Sequence, residues 1–122
     1  MMRTLFAAAV FFAAAAAPAY ADHAVIRGLD KVTGHARDYS LTLGRPARIG
    51  TLEVTARACA KSAPEEQPEV RIYVDVIDTP PAPEGQEPQR REIFHGWLFA
   101  SSPGLNAVDH PVYDLWAVDC RA

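Results

Sequence analysis

The sequence predicts an all-β domain, a small antiparallel β-sandwich or partly open barrel of six to seven short strands with one disulfide. Three observations predict it. Apolar residues recur at every second position in several stretches, and no window shows them at helical spacing over three turns. Glycine, proline and polar clusters interrupt the chain at strand-length intervals. Cys59 and Cys120 lie in two separate stretches of this pattern.

The N-terminus stands outside that domain. Arg3 supplies a positive start, Leu5 to Ala17 is an apolar run of 13 residues, and Ala19-Tyr20-Ala21 has the small-x-small form of a cleavage site. Residues 1–21 are therefore expected to be a secretory signal peptide, cleaved after Ala21. An uncleaved anchor is the alternative, but the run falls short of the ~20 residues a spanning helix needs. No cysteine follows the run to carry a lipid. Residues 22–122 would form a single domain with no transmembrane segment. Removing residues 1–21 takes away one cation, Arg3, and moves the net charge from −3 to −4. An acidic surface argues against nucleic acid or an anionic bilayer as partner.

Export places the two cysteines where disulfides persist, and a Cys59–Cys120 bridge is expected. The rival is a pair of free or redox-active thiols, for which the Cys-x-x-Cys spacing that lowers a thiol pKa is missing.

In chain order, Val25-Ile26 is a short apolar pair, and Gly28 to Gly34 reads as a turn around Asp30-Lys31. Tyr39, Leu41 and Leu43 alternate with polar residues and predict a strand, ended by Gly44-Arg45-Pro46. Leu52, Val54, Ala56 and Ala58 share the inner face of the next strand, which leaves Cys59 on the outward phase. To bridge Cys120 it must be turned inward by a bulge or by the strand's end. Residues 62–69 are a polar loop. Val70, Ile72, Val74 and Val76 then give the cleanest strand.

Residues 78–91 hold four prolines within positions 80–88, which exclude a sheet or helix interior. They are expected to form a long solvated connection between neighbouring antiparallel strands. A proline-rich docking site is the alternative, but its neighbours are acidic. In the following strand Ile93, His95, Trp97 and Phe99 oppose Phe94, Gly96 and Leu98. Both faces are apolar, so this strand is expected to be central or covered on both sides. In the last strand Trp116, Val118 and Cys120 are expected on one side, with Leu115, Ala117 and Asp119 on the other. A single helical turn is expected within residues 101–107.

The search for chemistry yields no reaction. His23, His35, His95 and His110 are not at metal-ligand spacing, and neither cysteine lies beside one. His95 on its apolar strand reads as a satisfied, half-buried histidine. Ser101, Ser102, Asp109 and His110 invite a triad reading, but no strained nucleophile elbow surrounds the serines, whose hydroxyls are expected to bond local backbone. Asp75, Glu92 and Asp114 read as exposed strand carboxylates rather than a glycosidase pair. There is no glycine-rich phosphate cradle and no basic patch interleaved with aromatics, so neither cofactor nor nucleic acid is expected. The Ser101–Tyr113 segment has two readings, a lid over one open end of the sandwich or a rigid contact surface.

The blocks Leu29-Asp30-Lys31-Val32-Thr33-Gly34, Leu52-Glu53-Val54 with Ala58-Cys59, Gly96 to Ala107, and His110 to Trp116 ending at Asp119-Cys120 carry a resemblance. The chain resembles, over nearly all of residues 22–122, the exported alphaproteobacterial family catalogued as domain of unknown function 2155. That resemblance implies a periplasmic location, the Cys59–Cys120 pair kept as a unit, and no assigned catalytic residue. From the family's gene neighbourhood it also implies an accessory subunit of an inner-membrane complex such as respiratory complex I. The expected role is thus non-catalytic protein binding in the periplasm or on the periplasmic face of the inner membrane. Trp97, Phe99, Leu105, Pro111 and Trp116 are the candidate interface. The alternative is a small envelope enzyme, or a ligand- or peptidoglycan-binding protein, using Ser101, Ser102 and His110.

Overall fold

The computed structural model describes residues 8–10, 21–102 and 108–122. Its seven strands are β1 (His23–Asp30), β2 (His35–Thr42), β3 (Ala47–Ile49), β4 (Leu52–Lys61), β5 (Val70–Asp78), β6 (Arg91–Phe99) and β7 (Tyr113–Arg121). One antiparallel sheet has the order β2-β1-β7 and the other β3-β4-β5-β6. They do not close into a barrel, so the sandwich is the architecture formed. Ile26, Leu41 and Leu115 from one sheet meet Leu52, Val54, Ile72, Val74, Val76 and Leu98 from the other in a single core.

The first strand is the largest departure from the sequence reading, which found only the Val25-Ile26 pair there. Residues 23–30 form an eight-residue strand at the centre of the three-stranded sheet. Alternation is hidden because Ala24, Val25 and Ile26 are all buried. The turn after it is shorter than expected, because Gly28 and Leu29 belong to β1 and residues 31–34 alone make it. Asp30 Oδ1 accepts hydrogen bonds from the Val32 and Thr33 amides, and the Gly34 amide donates to the Asp30 carbonyl at a φ of +75°. β3 and β4 are joined by the two-residue hairpin Gly50-Thr51. Gly50 has φ +61° and among the described residues no non-glycine has positive φ, which is the type II′ pattern.

β5 shows the expected alternation, and its inward phase ends on a carboxylate, Asp78. The proline-rich segment does connect neighbouring antiparallel strands, Asp78 pairing with Arg91, and is mostly exposed.

Bulges decide where the cysteines point. In β4, Ala56 pairs with Val74 but Ala58 pairs with Tyr73, so Arg57 is the extra residue. Beyond it Cys59 pairs with the core residue Ile72, on the inner phase, and Ala58 turns outward. β7 does the same at Val118, between the pairs Ile26–Ala117 and Val25–Asp119. Cys120 thereby joins Leu115 and Ala117 on the inner phase, and is not on the side of Trp116 as the simple alternation had it. Cys59 and Cys120 are bonded to each other and link the two sheets.

β6 is also corrected. It is the edge of the four-stranded sheet, not a central or doubly covered strand. Phe94, Gly96 and Leu98 face inward opposite Val76, Val74 and Ile72, while His95, Trp97 and Phe99 lie on the outer face. Its second apolar face is therefore uncovered by any sheet.

Candidate functional site

Most of the outer surface is covered by paired charges. On the three-stranded sheet Val25 lies between the pairs Arg27–Asp38 and Arg121–Asp119 and is 4% exposed. On the four-stranded sheet Thr55, opposite Asp75, is 5% exposed beside the pairs Arg57–Asp75 and Arg90–Glu53. Such exposed pairs contribute about 0–1 kcal/mol each, so covering the sheet with their stems is their larger effect.

The β5–β6 end of the four-stranded sheet is built differently. Tyr73 and Trp97 are cross-strand partners whose rings meet edge to face, 5.4 Å apart at 83°. Arg71 stacks over Trp97 at 5.4 Å. Phe99, the partner of Arg71, lines an adjoining cleft of about 400 Å³ with Lys61, Ser62, Glu66 and Glu69. The surrounding charges are held locally. Lys61 bonds Asp119 and holds its carboxyl below the usual carboxylate range, and the Cys120 amide acts in the same direction. The Ser101 hydroxyl and amide do the same for Glu69. His95 is exposed rather than half-buried, with Nδ1 2.6 Å from Glu92.

The candidate interface residues do not form one patch. Trp97 and Phe99 share this face. Trp116 lies on the outer face of the other sheet, opposite Arg27, in a shallow depression shared with Ala100 and Val118. Pro111 is exposed at the far end of the sandwich. Leu105 lies outside the described residues, as do 103–107 of the segment expected to hold a helical turn.

The residues of the triad reading are kept apart. Ala100 bonds the Val70 carbonyl at the start of β5, and Ser101 bonds Glu69 beside it rather than local backbone. His110 instead bonds Asp78 at the end of β5. Asp78 and His110 are 4% and 8% exposed. His110 Nδ1 accepts from the Val112 and Tyr113 amides, so the ring proton sits on Nε2, 3.0 Å from Asp78 Oδ2. Asp78 Oδ1 accepts from Thr51 Oγ1 at 2.7 Å, and Lys31 Nζ donates to the His110 carbonyl. Both imidazole nitrogens are thus engaged, and this network fixes residues 108–113 onto the sandwich. Val108 is a core residue. Sequence reading missed the pair, although a carboxylate on the inward phase of β5 signalled a buried partner.

The three strand carboxylates are each matched by a cation or histidine: Asp75 by Arg57, Glu92 by His95, Asp114 by Lys31. Among the described residues no three His, Cys, Asp or Glu side chains gather as metal ligands. No helix among them is long and apolar enough to cross a membrane.

Fold and surface together define a disulfide-linked two-sheet β-sandwich with a half-buried aromatic corner on one outer face. The chain belongs to the family described as an uncharacterized protein conserved in bacteria, domain of unknown function 2155, whose model matches residues 24–120, as its motifs implied. It is also 24% identical over 99 residues to an uncharacterized protein of Rickettsia prowazekii (strain Madrid E), covering 78% of this chain and 58% of the relative. The chain thus spans less than two thirds of that relative's length. No solved structure matches it.

Proposed function

We infer that this is a non-catalytic periplasmic domain that binds another protein, serving as an accessory subunit of an inner-membrane complex such as respiratory complex I. One observation carries the reading: the Tyr73–Trp97–Arg71 cluster with Phe99 is a half-buried aromatic surface on the outer face at the sheet's edge, where the neighbouring strands carry ion pairs. Aromatic residues and arginine are what protein interfaces enrich. The distance of Ser101 from His110, and the engagement of both His110 nitrogens, support a non-catalytic role. The disulfide supports export.

The test is purification of a tagged copy, expressed at native level, from membranes in mild detergent. The subunits of one membrane complex should come with it in fixed proportion, and the double variant Trp97→Ala, Phe99→Ala should lose them while retaining the disulfide. Recovery of the protein alone would refute the reading.

A further inference from the structure

The backbone of β6 carries a second recognition element. The Ala100 amide donates to the Val70 carbonyl at 2.9 Å. Antiparallel ladders alternate hydrogen-bonded and non-hydrogen-bonded pairs, so that bond sets the phase of the whole β5–β6 register. Leu98 and Gly96 direct their N–H and C=O groups to Ile72 and Val74. His95, Trp97 and Phe99, paired with Asp75, Tyr73 and Arg71, direct theirs away from β5. Among the described residues no strand lies there to receive them.

The other strand edges carry the features that prevent strand addition. β2 presents His35, Arg37 and Asp38. β3 is three residues long. The uncharged part of β7 is broken by the bulge at Val118. β6 has its own bulge at Ile93 and its formal charges at Arg91 and Glu92, but from His95 to Phe99 it has no bulge, proline, lysine, arginine or acidic residue.

We propose that β6 pairs edge to edge, antiparallel, with β6 of a second copy of this chain, Trp97 opposite Trp97, making one eight-stranded sheet across the two-fold axis. The register follows from the residues. It is the one in which the three outward-directed residues bond only among themselves, Trp97 with Trp97 and His95 with Phe99 twice, giving six backbone hydrogen bonds. It also sets large against small on the inner face: Leu98 falls opposite Gly96, and Phe94 opposite Ala100. Arg91 and Glu92 fall outside the paired segment. The two Tyr73–Trp97–Arg71 clusters then adjoin on one outer face. A homodimer of this kind is closed by its symmetry and offers no further free β6 edge.

The inference does not rest on the accessory-subunit reading, since it is tested on the purified protein without any partner. The full chain, expressed and oxidised, is followed by sedimentation across a dilution series. Twice the chain mass at high concentration, falling to one on dilution, is expected. Phe99→Pro removes an outward amide without touching the β5 ladder, and should leave a folded monomer. Cross-linking reads the register independently. A hydrogen-bonded pair has Cα atoms about 5.5 Å apart, within the ~4.4–6.8 Å range a disulfide spans. Trp97→Cys should therefore cross-link with itself on oxidation. His95→Cys and Phe99→Cys should cross-link when mixed and not when alone. In the diluted monomer the Trp97 and Phe99 amides should exchange quickly with solvent. A monomer at every concentration, a dimer that survives Phe99→Pro, failure of Trp97→Cys to cross-link, or slow amide exchange in the monomer would each overturn the proposal.

Discussion

Replacing His110 by alanine tests how the segment before β7 is held. The substitution removes the Nε2–H bond to Asp78, and a bond from a neutral donor to a buried carboxylate contributes about 1.5–3 kcal/mol. It also takes the acceptor from the Val112 and Tyr113 amides, which water reaches only partly at this depth. Asp78, 4% exposed, would retain Thr51 as its one side-chain partner among the described residues. Leaving the buried carboxylate short of a donor adds part of its desolvation penalty, and together the losses place the expected value at about 3–4 kcal/mol. For a domain of this size each kcal/mol shifts the midpoint by about 4–8 °C, so Tm should fall on the order of 15–25 °C. Urea unfolding followed by tryptophan fluorescence measures the free energy, and thermal circular dichroism the midpoint. Asp78→Asn, which keeps an acceptor for His110, should lose much less. Combining Asp78→Ala with His110→Ala should cost well below the sum of the two, since they share one bond. A His110→Ala loss under about 1 kcal/mol would refute the argument, because no buried partner of this kind can be removed so cheaply.

Three other outcomes follow from the same geometry. Reducing the Cys59–Cys120 bridge, which closes a span of 61 residues, should cost about 4 kcal/mol in the chain-entropy model, and equal melting temperatures with and without reductant would contradict it. Gly50→Ala should destabilise by about 1–3 kcal/mol in chemical denaturation, because φ is +61° and the added Cβ would run into the Tyr113 hydroxyl; full stability would show that the hairpin and ring move freely. Asp38, Glu69 and Asp119 have carboxyls held below the usual range by Arg27, Ser101 and Lys61, respectively. Their contribution is present above the unfolded carboxylate pKa and is lost as pH falls through the lower folded values, so stability should drop in acid, and less steeply at high salt for the Arg27 and Lys61 pairs; an acid limb unchanged in Asp119→Asn would remove Asp119 from that account.

The sequence by itself determined the all-β class, the two-cysteine pairing, the alternation of β5 and a turn centred near Asp30-Lys31, though not that Gly28 and Leu29 belong to the strand before it. These depend on period-two patterning and on turn residues, which act over a few neighbours. Even the need for a bulge near Cys59 was readable, because a bridging cysteine cannot stay on the outward phase of its strand. Tertiary structure decided the rest. Whether β6 is central or an edge depends on which strands pair, and two apolar faces in a row of residues are compatible with either. The phase of Cys120 depends on the extra residue at Val118, which strict alternation cannot reveal. Trp97 and Trp116, near each other in sequence, lie on opposite outer faces because the chain changes sheets between them. Asp78 and His110, 32 residues apart, meet only because the segment before β7 returns to the end of β5, and no local pattern encodes that path.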